Sequence, residues 1–186
     1  MDNHYIQKIL SGDTDSFRYF IKKYKDIGYS LAMSVVKDEY LAEEVLQISF
    51  INAFNAYTAF KGKSKFSTWF YRILINEAFK ALKKQGKVIN LNNEFFGNQI
   101  PEVDYFTLNI EKEDQKHYIN EALKKIPANE SLALRLFYLE ECSIEEITEI
   151  TGWTCSNIKV ILHRARIHVR EILKDCFKTE RNGLYQ

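Results

Sequence analysis

The sequence predicts an all-α protein, and three observations predict it. Only 7 glycines and 2 prolines interrupt 186 residues, too few to punctuate a many-stranded sheet. Apolar residues recur three and four apart over long stretches, the period of a helix that buries one face. Helix-start signals stand where those stretches begin: Asp13 or Asp15, Ser143 with Glu146, and Thr154. At 46% hydrophobic and 14% aromatic residues, the chain has enough apolar surface for sizeable cores. The expected architecture is an N-terminal helical bundle over 1–87 and a C-terminal helix-turn-helix four-helix domain with a tail over 112–186. A flexible linker over 88–111 joins them.

Each element has its own warrant. After Asp13 and Asp15, residues Phe17, Phe20, Ile21 and Tyr24 fall at helical spacing. The next segment, "DEYLAEEVLQISFINAFNAYTAF", is more apolar than a surface helix. Leu41, Val45 and Ile48 form one side of it, and Leu46, Phe50, Ala53, Phe54 and Tyr57 form another, with Glu44 and Gln47 between. A helix apolar on two sides packs on two sides, so it is expected at a bundle centre or against a partner. The third segment, "FSTWFYRILINEAFKALKK", carries Phe70, Tyr71, Leu74, Ile75, Ala78, Ala81 and Leu82 as a complete core stripe. Its other face carries Trp69, Arg72, Asn76, Lys80 and Lys83, so Trp69 is expected outside. Residues 86–111 break the helical pattern with Gly86, Asn92-Asn93, Gly97 and Pro101. Helices resume at about 112–125 and, after Pro127, at 128–139.

The segment "CSIEEITEITGWTCSNIKVILHRARIHVREIL" holds the sharpest local pattern. Ser143 and Glu146 make a capping box. Ile144, Ile147 and Ile150 give a short helix its core face, Gly152 supplies a turn, and Thr154 caps a longer helix. That helix clusters Ile158, Ile161, Leu162, Ala165, Val169 and Ile172 on one side. Ser156, Asn157, Lys159, Val160, His163 and Arg164 lie on the other. Short helix, glycine turn and second helix with a polar-basic face form a helix-turn-helix.

Charge sharpens this. The net charge of +1 is uninformative, but its distribution is not. Residues 61–87 hold eight basic side chains against Glu77, and 155–174 hold five against Glu171. Between them, residues 94–149 hold thirteen acidic and five basic groups. Two basic blocks around an acidic one point to two polyanion contacts. In the C-terminal block, Asn157, Lys159 and His163 offer donors to base edges, and Val160 suits a thymine methyl. Arg164, Arg166 and Arg170 suit phosphates. In the N-terminal block, a ring interleaved with Lys and Arg suits unpaired bases, which need stacking surface and backbone neutralisation.

Other classes find less support. No apolar run reaches the roughly 20 residues that span a bilayer. "MDNHYIQKIL" lacks a basic segment followed by an apolar core, so it is no signal peptide, and a cytoplasmic location is expected. Cys142, Cys155 and Cys176 are odd in number and lack a ligand pattern, so reduced thiols are expected. "FKGKSKF" is no phosphate loop. His163 and His168 are five apart, the wrong spacing for a helical metal pair. No nucleophile–base pair stands out. No catalytic residue, metal or cofactor is expected.

Three motifs, in order, resemble the extracytoplasmic-function sigma factors of bacterial RNA polymerase. "AEEVLQISFINAF" is similar to that family's polymerase-binding helix, and "FKGKSKFSTWFYRILINEA" to its −10 loop and helix. "SIEEITEITGWTCSNIKVILHRAR" is similar to its −35-reading segment. The resemblance implies that Glu43, Glu44, Gln47, Phe50 and Ile51 meet the clamp helices of the polymerase β′ subunit, with the β flap a further polymerase contact. It implies that Lys61, Lys63, Ser64 and Phe66 belong to a loop that captures a flipped −10 base. Trp69, Arg72, Asn76, Lys80 and Lys83 would then serve melting and non-template-strand recognition. Thr154, Ser156, Asn157, Lys159, Val160, His163, Arg164 and Arg166 would read the −35 duplex. Its implied partners are core RNA polymerase, promoter DNA and an anti-sigma factor, often membrane-anchored. Two departures stand in the motifs: Ile48 replaces an acidic residue, and Val160-Ile161 replace a Ser-Arg pair. The alternative is a stand-alone helix-turn-helix regulator, which has no use for the Trp69 strip.

Overall fold

The computed structural model describes the backbone of residues 1–60, 62–86 and 112–183, and the side chains of all of these except 112–117 and 175–183. Among the described residues every regular element is helical. The element order is α1 (Asp2–Leu10), a 3₁₀ turn (Thr14–Phe17), α2 (Arg18–Val36), α3 (Glu39–Ala56) and a second 3₁₀ turn (Tyr57–Ala59). Then come α4 (Phe66–Lys84), α5 (Lys112–Lys125), α6 (Ala128–Leu134) continued by a π-helical stretch (Arg135–Leu139), α7 (Ile144–Thr151) and α8 (Cys155–Gly183). The expected linker lies almost wholly outside the described residues.

The N-terminal half is a bundle of α2, α3 and α4 with α1 laid across α2. Asp13 accepts from the Ser16 amide and hydroxyl, so the expected cap closes the 3₁₀ turn ahead of α2. Asp38 caps α3 by accepting from the Leu41 amide at 2.9 Å. Phe20, Leu31 and Val35 of α2, Ala42, Val45 and Ala53 of α3, and Phe70, Leu74 and Ala78 of α4 fill the interior. Gly28 lets α2 and α3 approach closely: a Cβ there would stand 2.7 Å from Leu46 Cδ1. Helix α1 is tied down by Asp2, which accepts from the hydroxyls of Tyr19 at 2.8 Å and Tyr24 at 2.6 Å and pairs with Lys23. Tyr5 stacks on Tyr19 at 3.8 Å.

The C-terminal half closes around Leu132, Leu136, Ile147, Ile150, Ile158, Leu162 and Ala165. The expected capping box is complete: the Glu146 amide donates to Ser143 Oγ at 3.1 Å and the Ser143 amide to Glu146 Oε2 at 3.0 Å. Gly152 ends α7 with φ +75, a left-handed turn that suits glycine. The Asn157 amide donates to Thr154 Oγ1 at 3.2 Å and starts α8. His168 on α8 meets the buried carboxylate of Glu130 on α6 at 2.6 Å.

The two halves also pack on each other, and their buried residues form one continuous cluster. Arg135 donates from Nε to Ser34 Oγ on α2 (2.9 Å) and from Nη2 to Asn120 Oδ1 on α5 (3.0 Å). Lys37, in the left-handed region at φ +57, donates to the Leu123 carbonyl in the last turn of α5. Burial and the neighbouring Arg135 pull its pKa down to about 8. On the other side, Lys65 at the start of α4 pairs with Glu146 of α7 at 2.7 Å. The rings of Phe79 on α4 and Trp153 in the α7–α8 turn lie 6.3 Å apart.

Candidate nucleic-acid interface

Helix α4 divides its surface by spacing. Phe70, Leu74 and Ala78 point into the bundle, and Arg72, Asn76, Lys80 and Lys83 stand exposed along the opposite side. Lys80 has a loose pair with Glu77 at 3.4 Å, which leaves its ammonium available to a stronger anion. Lys63 is exposed and Ser64 half-buried, while Lys61 lies outside the described residues. Lys65 carries the Glu146 ion pair, and that bond raises its pKa.

The aromatic part of the strip differs from expectation. Trp69 is half-buried, with its ring 5.2 Å from Phe60 and 5.4 Å from Phe66. The sequence reading put it fully outside because the core stripe of α4 is complete without it. That reasoning misses the loop before α4, whose Phe60 folds back to cover one side of the indole. Phe66, expected at the captured base, is only 4% exposed and packs on Phe20 at 3.9 Å. Its ring anchors the loop from below and offers no face to a base.

The outer side of α3 carries Glu43, Glu44 and Gln47, all exposed, with Ile51 59% exposed. Phe50 departs from expectation: it is buried and stacks on Phe70 at 4.6 Å, because its position on α3 faces α4. Ile48, on one of the two apolar sides expected to meet the bundle or a partner, is exposed, and the buried position beside it is Ser49, whose hydroxyl donates to the Val45 carbonyl at 2.6 Å. Tyr40, at 88% exposure, joins this surface. No local pattern marks it, since a tyrosine in a first helical turn is as often packed as open.

On α8, Ser156 and Lys159 are exposed and Asn157, Val160, His163 and Arg164 half-buried. The Thr154 hydroxyl is taken up by its capping bond. Arg166 donates from Nε to the Tyr138 hydroxyl at 2.7 Å and lies over that ring at 5.6 Å, so Tyr138 fixes the direction of its guanidinium. Tyr138 was not anticipated, because residues 28 apart share no periodicity. Cys155 is exposed beside the Thr148 hydroxyl at 3.6 Å. Burial, with Glu146 and Glu140 nearby, pushes the Cys142 thiol up to about 11.

A helical bundle with a basic exposed strip, followed by a helix-turn-helix, defines a DNA-binding protein of transcription. Residues 20–88 match sigma-70 region 2, and residues 116–169 match sigma-70 region 4. A probable RNA polymerase sigma factor of Haemophilus influenzae is 31% identical over 72% of this chain and 77% of its own length. The ECF RNA polymerase sigma factor SigW of Bacillus subtilis is 28% identical over 91% of this chain and 95% of its own. The chain therefore belongs to the sigma-70 family of RNA polymerase sigma factors, and its resemblance is to the extracytoplasmic-function group. The fold is that of CnrH, solved in complex with the cytosolic domain of CnrY (TM-score 0.65, 16% identity, 94% of this chain and 97% of that one). It is also that of the sigma factor RpoE, solved with the anti-sigma factor NepR from Bartonella quintana (TM-score 0.63, 23% identity, 85% and 96%). Among the described residues no helix is long and apolar enough to cross a membrane.

Proposed function

We propose that this sigma factor directs core polymerase to promoters by reading the −10 element as single strand along α4 and the −35 element as duplex with α8. The observation that carries the reading is the exposed row Arg72, Asn76, Lys80 and Lys83 on a helix whose other sides are packed. Three cations with one amide between them neutralise a backbone and leave one group to meet a base edge. Trp69 acts from its open side, braced by Phe60 and Phe66. A flipped base costs a few kcal/mol, which contacts along such a strip offset. The accessibility of Ser156, Lys159 and, in part, Asn157 at the start of α8 supports the reading, because a recognition helix meets base edges with its N-terminal residues.

The open side of α3, with Glu43, Glu44, Gln47, Ile48 and Ile51, is the docking surface for the β′ clamp helices. The exposed isoleucines make that contact more apolar than the family motif implies. An anti-sigma factor is the regulatory partner, in keeping with the complexes solved for CnrH and RpoE. The chain itself performs no catalysis. Run-off transcription with reconstituted core polymerase tests the reading. Asn76→Ala should impair strand opening, followed by permanganate reactivity of unpaired thymines, with polymerase binding unchanged. Equal loss of both would refute the assignment.

A further inference from the structure

Helix α6 runs into a single wide turn, the π-helical stretch Arg135–Leu139, closed by the Glu140 amide donating to the Arg135 carbonyl at 3.0 Å. Single π turns are rare and recur at functional sites. Here the turn keeps Leu136 in the core and leaves Tyr138 50% exposed. The half-buried ring of Phe137 meets Tyr138 edge-on, with centroids 5.0 Å apart and planes at 81°. Tyr138 is thus braced by its neighbour on one side and faces α8 on the other. Across that gap Arg166 donates from Nε to the Tyr138 hydroxyl and lies over its ring.

We infer that Tyr138 is a positioning residue for −35 binding: it holds Arg166 so that the outer edge of the guanidinium is turned to a phosphate of the duplex. The inference rests on the −35 reading proposed above. Lys159, His163 and Arg166 fall four and three residues apart and share one side of α8. A recognition helix meets base edges with its N-terminal residues. Arg166 lies two turns beyond Lys159, about 10 Å along the axis. That is comparable to the roughly 12 Å width of the major groove, so a long side chain there reaches the bordering backbone.

The bonding chemistry favours aim over anchorage. A guanidinium has five N–H donors; Nε is used on Tyr138, and the two Nη atoms keep a parallel pair on the outer edge, the fork that grips a phosphate bidentately. The partner is neutral. A carboxylate in its place would offset the charge a phosphate needs, as Glu146 does for Lys65, whereas a phenol directs the cation and leaves its charge intact. An arginine also gives up rotamer freedom when it grips an anion, and one already held at Nε and over a ring has given up part of it beforehand. As a mere tie between α6 and α8 the pair is weak, because both groups reach solvent and water replaces such a bond at small cost.

A double-mutant cycle in the reconstituted holoenzyme tests this, on a promoter fragment selected from genomic DNA by the wild-type holoenzyme, with binding titrated over salt. Tyr138→Phe keeps the ring and removes the acceptor. It should weaken binding about three- to tenfold, the scale of one hydrogen bond, and leave the salt slope unchanged because the charge stays. Arg166→Ala should weaken binding further and lower the slope by about 0.9, the share of one duplex phosphate. In the Arg166→Ala background, Tyr138→Phe should change binding by less than about twofold, since the two residues act as one unit. Urea unfolding of Tyr138→Phe should match wild type. Additive effects of the two substitutions on binding overturn the inference, as does an unchanged slope in Arg166→Ala, or a binding loss in Tyr138→Phe matched by an equal loss of stability. A fragment with its −35 segment scrambled separates the two levels. If scrambling leaves binding unchanged, the −35 reading fails and the inference with it; if scrambling weakens binding while the cycle is additive, the reading stands and the inference alone falls.

Discussion

Replacing Arg72, Lys80 and Lys83 together by alanine removes three cations from one exposed row and leaves the packed sides of α4 untouched. Alanine is the best helix former, so α4 keeps its shape. Binding to single-stranded nucleic acid depends on released counterions, with a slope of about −0.7 in log K against log salt for each phosphate neutralised. Three lost contacts reduce the slope by about 2. Between 50 and 200 mM salt, a fourfold change, that corresponds to roughly 20-fold less loss of affinity. Lys80 is already loosely engaged by Glu77 at 3.4 Å, so its share is the smallest. The assay is holoenzyme binding to a fork-junction DNA with a single-stranded −10 segment, titrated at several salt concentrations. Asn76→Ala serves as comparison: it should lower affinity and leave the slope unchanged. A triple variant with the wild-type slope would show that these side chains touch no phosphate, and the placement of the −10 strand on this row would be refuted.

Ser143→Ala removes the hydroxyl that accepts from the Glu146 amide, while the residue-143 amide keeps its bond to the Glu146 carboxylate, and should lower the stability of the C-terminal half by about 1 kcal/mol, read by urea unfolding. Phe50→Ala empties a buried site against Phe70 and should cost about 3–5 kcal/mol, whereas Ile51→Glu, one residue on and exposed, should change stability by less than about 0.5 kcal/mol and weaken polymerase binding in a pull-down. At pH 8 iodoacetamide should label Cys155 well before Cys142, because a thiol with its pKa raised to about 11 holds few thiolates there; the Cys142 rate should climb as pH approaches 11, and mass mapping at several pH values follows both.

Helix identity and local capping were legible in the residues because both are set within a few positions of the chain. Ser143 with Glu146 and Thr154 with the Asn157 amide stand as the spacing requires. The stripe Phe70, Leu74 and Ala78 is likewise set by period alone. Errors arose where a side chain's direction depends on a second element. Phe50 and Phe66 lie within motifs that resemblance assigns to binding, yet a motif does not say which of its positions turn inward. Phe66 turns toward Phe20 and Phe50 toward Phe70. Trp69 lies on the outward side of α4 and is still half covered, by a ring from the preceding loop. The contact between halves left no trace in the sequence: Ser34 and Arg135 are 101 positions apart, and both read as ordinary helix residues.

The sides of α4 differ in composition as the proposed strand reading requires. A side used for core packing must be apolar and continuous, which Phe70, Leu74 and Ala78 supply. A side used for an unpaired strand must stay solvated, and a row holding Arg72, Asn76 and Lys80 resists burial because each of its groups demands a polar partner. A third row, Tyr71, Ile75 and Phe79, grades from one environment to another: Tyr71 and Ile75 are buried, with the Tyr71 ring edge-on to Tyr24, while Phe79 is half-buried and turns toward Trp153 of the C-terminal half. The ion pair at its edge, Lys65–Glu146, adds orientation with little affinity, because an exposed pair fixes register more than it stabilises.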